Sequence, residues 1–329
     1  MTAPVNVRYL TGFESSNAAV LVERDGAVRL FTDFRYAERA RQLEDVDVVE
    51  TPRYLYTDLP RHLSGPVAFE AEALTYANYE FLREGGVELA PRRGIVETLR
   101  AVKEPEELEA IRRAAEVTDA TYARLAEEQF AGKSEQDLVW RMEVLFHECG
   151  ADGLAFDVDI AAGPTAASPH AMPGERVVQE GEFVLVDAGA IVDGYCSDCT
   201  RTFAVGEVSD SLRELYDVVL RAQLAGLEAV RPGAGGREVD AAARGVITEA
   251  GYGENFGHGL GHGLGLLVHE APVLRPESQD VLEPGNVVTV EPGIYLTGVA
   301  GIRIEDLVAV TPEGVEVLSR FPKELTAVR

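Results

Sequence analysis

FVLVDAGAIVDGYCSDCTRTFAV, residues 183–205, consists of two β-rich runs on either side of Asp193-Gly194. Asp-Gly between such runs is a strong hairpin signal, because both turn positions need φ > 0. With those two residues as the turn, Val192 pairs with Tyr195 and Asp187 falls opposite Thr200. Asp198 is then the diagonal neighbour of Asp187 on the same face. Two carboxylates so placed on a core sheet repel each other and lose their hydration. They need a cation between them, or one stays protonated. Two surface aspartates on a polar strand face would satisfy the same pattern.

A second pair of acids lies nearer the C-terminus. Val287–Val290 leads into Glu291-Pro292-Gly293, and Gly301-Ile302-Arg303-Ile304-Glu305 follows a loop through Thr297-Gly298. The separation of Glu291 and Glu305 is even, so a hairpin turning near Gly298 sets them on one face and roughly opposite. Between the two acidic pairs runs Gly257-His-Gly-Leu-Gly-His-Gly-Leu-Gly265, with His269 just beyond. Its glycines make a helix improbable on propensity. In an extended strand His258 and His262 share a face, and the glycines admit close approach of backbone and ligands. A lone buried histidine is commonly a satisfied core residue. Three in this short stretch, in a chain with only 6, read as a site.

Four carboxylates and one imidazole suit a pair of divalent ions, whose charge would offset a carboxylate sum of about −4. Oxygen-rich donors favour Mn²⁺ or Co²⁺, with Zn²⁺ also compatible. Paired ions about 3.5–4 Å apart hold and acidify a bridging water, which points to hydrolysis.

Around this core the chain reads as two parts, 1–100 and 101–329. The first opens with strands at Ala18–Val22 and 28–32 about the turn Arg24-Asp25-Gly26, then a helix over 35–43, with Pro52, Pro60, Pro66, Pro91 and Gly85-Gly86 punctuating the rest. The second opens with a long helix over 106–128 behind Pro105, and Ser134 caps a helix that stops at Gly150. The helix pair recurs at 212–230 and 237–250. Glu135-x-Asp137 and Glu238-x-Asp240 open the two short helices alike, which points to a duplicated half. Helices on an antiparallel sheet make this part α+β.

A net charge of −26 excludes nucleic acid and argues against an anionic membrane surface, since both demand clustered Lys and Arg. No apolar run is long enough to span a bilayer, and residues 1–10 carry no basic segment followed by an apolar core. Three cysteines cannot all pair, so a reducing, cytoplasmic setting is expected. Cys196 and Cys199, a lone C-x-x-C without a second pair, read as a strand feature rather than a zinc or redox site.

The stretches DAGAIVDGYCSDCTRTF, HGLGHGLGLLVHEAP, VEPGIY and GIRIED resemble, in order and spacing, the motifs of the pita-bread metallopeptidases: methionine aminopeptidase, aminopeptidase P and prolidase. The resemblance covers about residues 100–320. It implies a pita-bread (creatinase/aminopeptidase) fold with two metal ions held by Asp187, Asp198, His262, Glu291 and Glu305, Asp198 and Glu305 bridging. It also implies that Glu291 handles the proton of a metal-bridging hydroxide nucleophile, and that His170 and His269 line the substrate site and steady the tetrahedral intermediate. His258, Tyr295 and Arg303 fall beside the metals or substrate.

Asn6-Val-Arg-Tyr-Leu-Thr-Gly-Phe13 and Thr32-Asp-Phe-Arg-Tyr36 are similar to the smaller α/β amino-terminal domain of aminopeptidase P, prolidase and creatinase. Methionine aminopeptidases typically lack that domain, and creatinase does without the metals. The resemblance therefore favours an Xaa-Pro dipeptidase or aminopeptidase acting on peptides with proline at the second position, and a homodimer. An aminopeptidase of broader or methionine-type specificity is the alternative within the same chemistry. A non-catalytic binding scaffold is the alternative outside it. Two features depart from the family pattern. The chain starts almost at the YLTGF-like segment, where relatives carry a further helix and strand. Where relatives often read H-E-x-P-R, this chain has His269-Glu-Ala-Pro-Val273, with Arg275 two residues on.

Overall fold

The computed structural model describes residues 1–169 and 171–329. The chain divides into two units, Met1–Arg100 and Ala101–Arg329. The first carries α1 (Pro4–Thr11), β1 (Ala18–Val22), β2 (Val28–Asp33), α2 (Phe34–Ala40), β3 (Asp47–Thr51), β4 (Pro66–Glu70), α3 (Tyr76–Glu84) and β5 (Glu88–Arg92), with α4 (Glu97–Ala101) at its end. β1 and β2 are antiparallel, β3 adds to β2 in parallel, and β4 pairs with β5 in parallel as a separate sheet. Helix α1 is absent from the sequence reading, although its punctuation is legible: proline at the first turn and Gly12 in the left-handed conformation at its end. A cavity of about 700 Å³ in this unit, lined by Val20, Leu21, Phe31, Val67, Phe69 and Leu89 among others, includes none of the anticipated site residues.

The second unit opens with α5 (Pro105–Leu125) and α6 (Glu135–Cys149). In α5, Ile111, Ala114, Ala115, Tyr122 and Leu125 turn inward, and Glu107 returns a hydrogen bond to the Glu104 N–H across the first turn. Ser134 caps α6 by accepting from Asp137 N–H, a contact worth about 1 kcal/mol, and Gly150 ends the helix at φ 98°.

Next come β6 (Gly153–Leu154), β7 (Asp159–Ala162), β8 (Phe183–Ala188), β9 (Ala190–Val192), β10 (Tyr195–Cys196) and β11 (Cys199–Val205). A second helix pair, α7 (Asp210–Ala229) and α8 (Gly236–Glu249), precedes β12 (Gly261–Gly263), β13 (Glu270–Leu274), β14 (Val287–Val290), β15 (Gly293–Leu296), β16 (Ala300–Arg303), β17 (Asp306–Thr311), β18 (Gly314–Val317) and β19 (Ala327–Val328). The main sheets run β19-β11-β8-β7 and β13-β12-β14-β17-β18, antiparallel apart from the β11–β19 pair. The helix pairs cover them. Tyr216, Val219 and Ala243 join Val288, Val290 and Ile302 in one apolar cluster, while Tyr122, Met142 and Phe146 join Val184, Val186 and Phe203 in another. Among the described residues no helix is long and apolar enough to cross a membrane.

Candidate metal centre

Three acids of the centre sit where strand pairing is interrupted. The first hairpin turns at Asp193-Gly194, pairing Val192 with Tyr195 and Asp187 with Thr200, the register its turn predicts. The same register holds on both sides of Ser197-Asp198, yet those two residues lie between β10 and β11. Asp198 is thereby released from the ladder while its place along the chain is kept. The second hairpin repeats the device. Val290 pairs with Asp306 and Gly293 with Arg303, leaving Glu291 and Glu305 in the gap between two stretches of one register.

The histidine stretch is less regular than an extended strand. Only Gly261–Gly263 pairs, with a bulge between His262 and Gly263, and His258 lies outside the strand. The glycines explain the path. A Cβ at Gly261 would stand 2.0 Å from the Thr289 carbonyl oxygen, and one at Gly263 2.3 Å from that of Ala271.

The side chains converge. Ligand atoms of Asp198, His262 and Glu305 lie within 4.8 Å of one another. His262 Nε2 is 3.6 Å from Asp198 Oδ2 and 3.4 Å from Glu291 Oε1. His262 Nδ1 faces the Gly263 carbonyl at 3.1 Å, so the neutral ring carries its proton there and leaves Nε2 bare. Burial pushes the His262 pKa down, which favours that neutral form. The His269 ring packs against His262 with centroids 4.3 Å apart. His170 lies outside the described residues.

Arg303 organises the other side. Its guanidinium donates to Asp187 Oδ2 at 2.6 Å, to the Tyr295 hydroxyl at 2.7 Å and to Thr200 Oγ1 at 2.9 Å. Thr200 in turn donates to Glu305 Oε2 at 2.7 Å. Tyr295 OH lies 2.9 Å from His258 Nε2, whose ring holds its other nitrogen against the Gly259 carbonyl at 2.8 Å. Burial pushes the Tyr295 phenol up to about 12, so it stays a hydroxyl able to donate to that ring.

Asp187 and Glu305 thus each have one oxygen engaged. Their second oxygens, Asp187 Oδ1 and Glu305 Oε1, are buried and lack hydrogen-bond partners among the described residues. Burial, and then the neighbouring carboxylates, push Asp198 and Glu305 well above the usual acid range. In a protein without cations this cluster would have to retain protons. Divalent ions would remove that requirement, with the open oxygens and the bare imidazole nitrogen available as donors. The residues fit a metal centre.

One acid escaped the sequence reading. Asp159 on β7 is paired in register with Asp187, and burial followed by the Asp187 charge raises its pKa to about 7. A lone acid at the start of a short strand offers no sequence signal, since only the β7–β8 pairing brings it to the cluster. Cys196 and Cys199 are both buried and in no disulfide, Cys199 Sγ facing the Glu305 carbonyl at 3.7 Å.

Residues 109–312 match metallopeptidase family M24, and residues 1–102 match the creatinase/prolidase N-terminal domain. The uncharacterized peptidase YqhT of Bacillus subtilis (strain 168) is 38% identical over 332 residues, covering 99% of this chain and 94% of its own length. Among solved structures, an Xaa-Pro dipeptidase from Bacillus anthracis is 41% identical with a TM-score of 0.95, covering 98% of this chain and 92% of that one. An X-Pro aminopeptidase from Thermotoga maritima MSB8 is 34% identical with a TM-score of 0.91, covering 99% of this chain and 94% of that one. The α+β architecture is that of the pita-bread fold preceded by a creatinase-type domain. With the family matched across most of the second unit, and the B. subtilis relative aligned over nearly the whole length, the chain belongs to metallopeptidase family M24.

Proposed function

We propose that residues 101–329 form the catalytic domain of an Xaa-Pro peptidase, with residues 1–100 as its creatinase-like amino-terminal domain. Two divalent ions, best matched by Mn²⁺ with Co²⁺ or Zn²⁺ also compatible, would be held by Asp187, Asp198, His262, Glu291 and Glu305. The observation that carries this reading is the convergence of two interrupted hairpins and one glycine-lined strand on a cluster with unsatisfied buried oxygens. Likeness to the B. anthracis Xaa-Pro dipeptidase supports the choice of proline.

When bound, such ions polarise the scissile carbonyl and acidify the attacking water. Glu291 takes the proton of that water on its carboxylate and passes it to the leaving nitrogen. His262 reaches Nε2 toward Asp198 and Glu291 with its proton parked on Nδ1. Arg303 donates to Asp187, Tyr295 and Thr200 from its guanidinium, fixing one oxygen of Asp187 and, through Thr200, one of Glu305. His269, packed on His262, would face the substrate and steady the tetrahedral intermediate, a role the family resemblance also implies for His170.

The test is turnover of Ala-Pro with Mn²⁺ or Co²⁺ restored after EDTA treatment. Cleavage that EDTA abolishes is the expected result, and failure on every Xaa-Pro substrate with both metals loaded overturns the assignment. Likeness to the T. maritima X-Pro aminopeptidase supports longer peptides as a second reading. Comparing Ala-Pro with Ala-Pro-Ala separates the two, and Met-Ala-Ser tests the methionine-type alternative.

A further inference from the structure

We propose that Glu135 is a positioning residue for this centre, clamping the segment 163–174 that carries His170; the inference rests on the catalytic reading above. Glu135 is the first residue of α6 and only 1% exposed. Its Oε1 accepts from the Ala162 N–H at 2.9 Å and from the Thr165 hydroxyl, and its Oε2 accepts from the Gly174 N–H at 3.1 Å. One carboxylate therefore ties the outgoing and the returning end of the same loop. The backbone of α6 adds to the clamp. Glu135 N–H donates to the Arg176 carbonyl at 3.0 Å and Gln136 N–H to the Gly174 carbonyl at 3.1 Å, filling donors that a helix start otherwise leaves open.

The clamped segment is built against the metal-side hairpin. Ala161, Ala166 and Ala171 cluster with Leu185 and Tyr295. A Cβ at Gly301 would meet the Ala166 carbonyl oxygen at 1.7 Å, so the loop backbone lies directly on β16, the strand that presents Arg303. The strand leading into the loop carries Asp159 opposite Asp187. Displacing the loop therefore moves both the substrate-facing wall and the neighbours of Tyr295 and Arg303.

The residue type follows from the donors. Three N–H and O–H groups converge on this side chain, and a carboxylate is acceptor-only, whereas an amide would turn an NH₂ toward one of them. A buried charge is tolerable here because its oxygens are hydrogen-bonded and it stands at the positive end of a helix. Without the clamp, the loop ends recover the conformational entropy that closure removes. A shift of about 1 Å in groups that align a substrate is enough to cost on the order of 10²-fold in rate.

The experiment uses the full-length, metal-loaded chain and its Glu135→Gln, Glu135→Ala and Thr165→Val variants. Turnover is read on whichever of Ala-Pro, Ala-Pro-Ala and Met-Ala-Ser the parent cleaves best, so failure of proline specificity does not bear on the clamp. In Glu135→Ala we expect kcat per metal-loaded chain to fall about tenfold and KM to rise about tenfold, together near the 10²-fold cost of misalignment. Hydrogen exchange should accelerate across 162–176 while metal content and exchange elsewhere in the unit stay parental. Glu135→Gln, which keeps one carbonyl oxygen, should recover part of the loss. A merely structural defect would lower the active fraction and leave KM unchanged, so a parental KM overturns the proposal. Parental exchange over 162–176, or loss of metal in step with activity, does the same. If Glu135→Ala does not fold, Thr165→Val decides: faster exchange over the loop with a raised KM supports the clamp, and parental values for both overturn it.

Discussion

The two halves of the catalytic unit reach the acidic cluster from successive stretches of the chain, and each steadies its share with a buried acid on the second helix of its pair. The half built on α5, α6 and the β8–β11 hairpin brings Asp187 and Asp198. The half built on α7, α8 and β12–β17 brings His262, Glu291 and Glu305. On α6 the buried acid is Glu135, accepting from loop N–H and O–H groups. On α8 it is Asp240, which accepts from Leu260 N–H at 3.1 Å and pairs with Arg244, and Arg244 donates to the Phe256 and His258 carbonyls.

The shared E-x-D spacing hides an exchange of roles. Asp137, the counterpart of Asp240, is exposed and serves in a capping box. Glu238, the counterpart of Glu135, is exposed beside Arg231. Helix α6 begins at Glu135, whereas α8 begins at Gly236, two residues ahead of its glutamate. Two residues are about 200° of helical turn, so the inward-facing acid changes from the first of the pair to the second. What the halves share is a position in space, a buried acid aimed at a histidine-bearing segment, more than a residue at a fixed offset.

The comparison breaks or sharpens at graded cost. If the second half supplies the proton-handling group, Glu291→Gln lowers kcat on the order of 10³-fold while far-UV circular dichroism and the urea midpoint stay parental. Full activity would remove Glu291 from that role. If the first half is an equal partner in holding metal, Asp198→Asn lowers bound metal below two ions per chain by atomic spectroscopy. Turnover at limiting metal should fall on the order of 10²-fold. Two ions retained would mean that the second half holds them alone.

The exchange of roles predicts an asymmetry in stability. Arg244→Ala strands Asp240, whose side chain is only 2% exposed, and should cost about 3 kcal/mol in urea unfolding. Arg231→Ala, beside the exposed Glu238, should leave the midpoint unchanged. Equal effects would contradict the assignment of buried and exposed acids.

A small but measurable effect belongs to an ion pair joining the halves, Arg112 on α5 with Glu316 on β18 at 2.7 Å. Their side chains are 33% and 37% exposed, so after solvent screening a double-mutant cycle should give about 0.5 kcal/mol. The Arg112 hydrogen bond holds Glu316 below its ordinary 4.5. A carboxyl whose folded pKa is depressed contributes its stability above 4.5 and loses it as pH falls through the folded value. The coupling should therefore be present at neutral pH, shrink in acid and weaken in high salt.

Much of this was legible in the residues themselves. Asp193-Gly194 sets a register by local turn geometry, so the pairing of Asp187 with Thr200 could be counted along the chain. Even spacing likewise set Glu291 and Glu305 at corresponding positions of the second hairpin, and helix caps at Ser134 and Gly150 bounded α6. These are local rules, in which a few neighbouring residues decide the conformation. Within 257–265 only Gly261–Gly263 is strand, and there the glycines admit both ladder pairing and close backbone approach, with a bulge after His262.

Other features depended on residues far apart in sequence meeting. Asp159 becomes part of the site only because β7 pairs with β8. Arg303 links Asp187, Tyr295 and Thr200 across more than a hundred residues in two of its three bonds, and no periodicity announces that. The inward turn of Glu135 and of Asp240, rather than their partners in each E-x-D pair, likewise follows from where each helix starts against its sheet. Sequence alone placed the candidate acids of the two hairpins at their registers, since turn chemistry and side-chain alternation are short-range. Tertiary structure decided which oxygens are left open, which acids lose their water and which loops are held, since desolvation and hydrogen-bond satisfaction exist only once distant segments have packed.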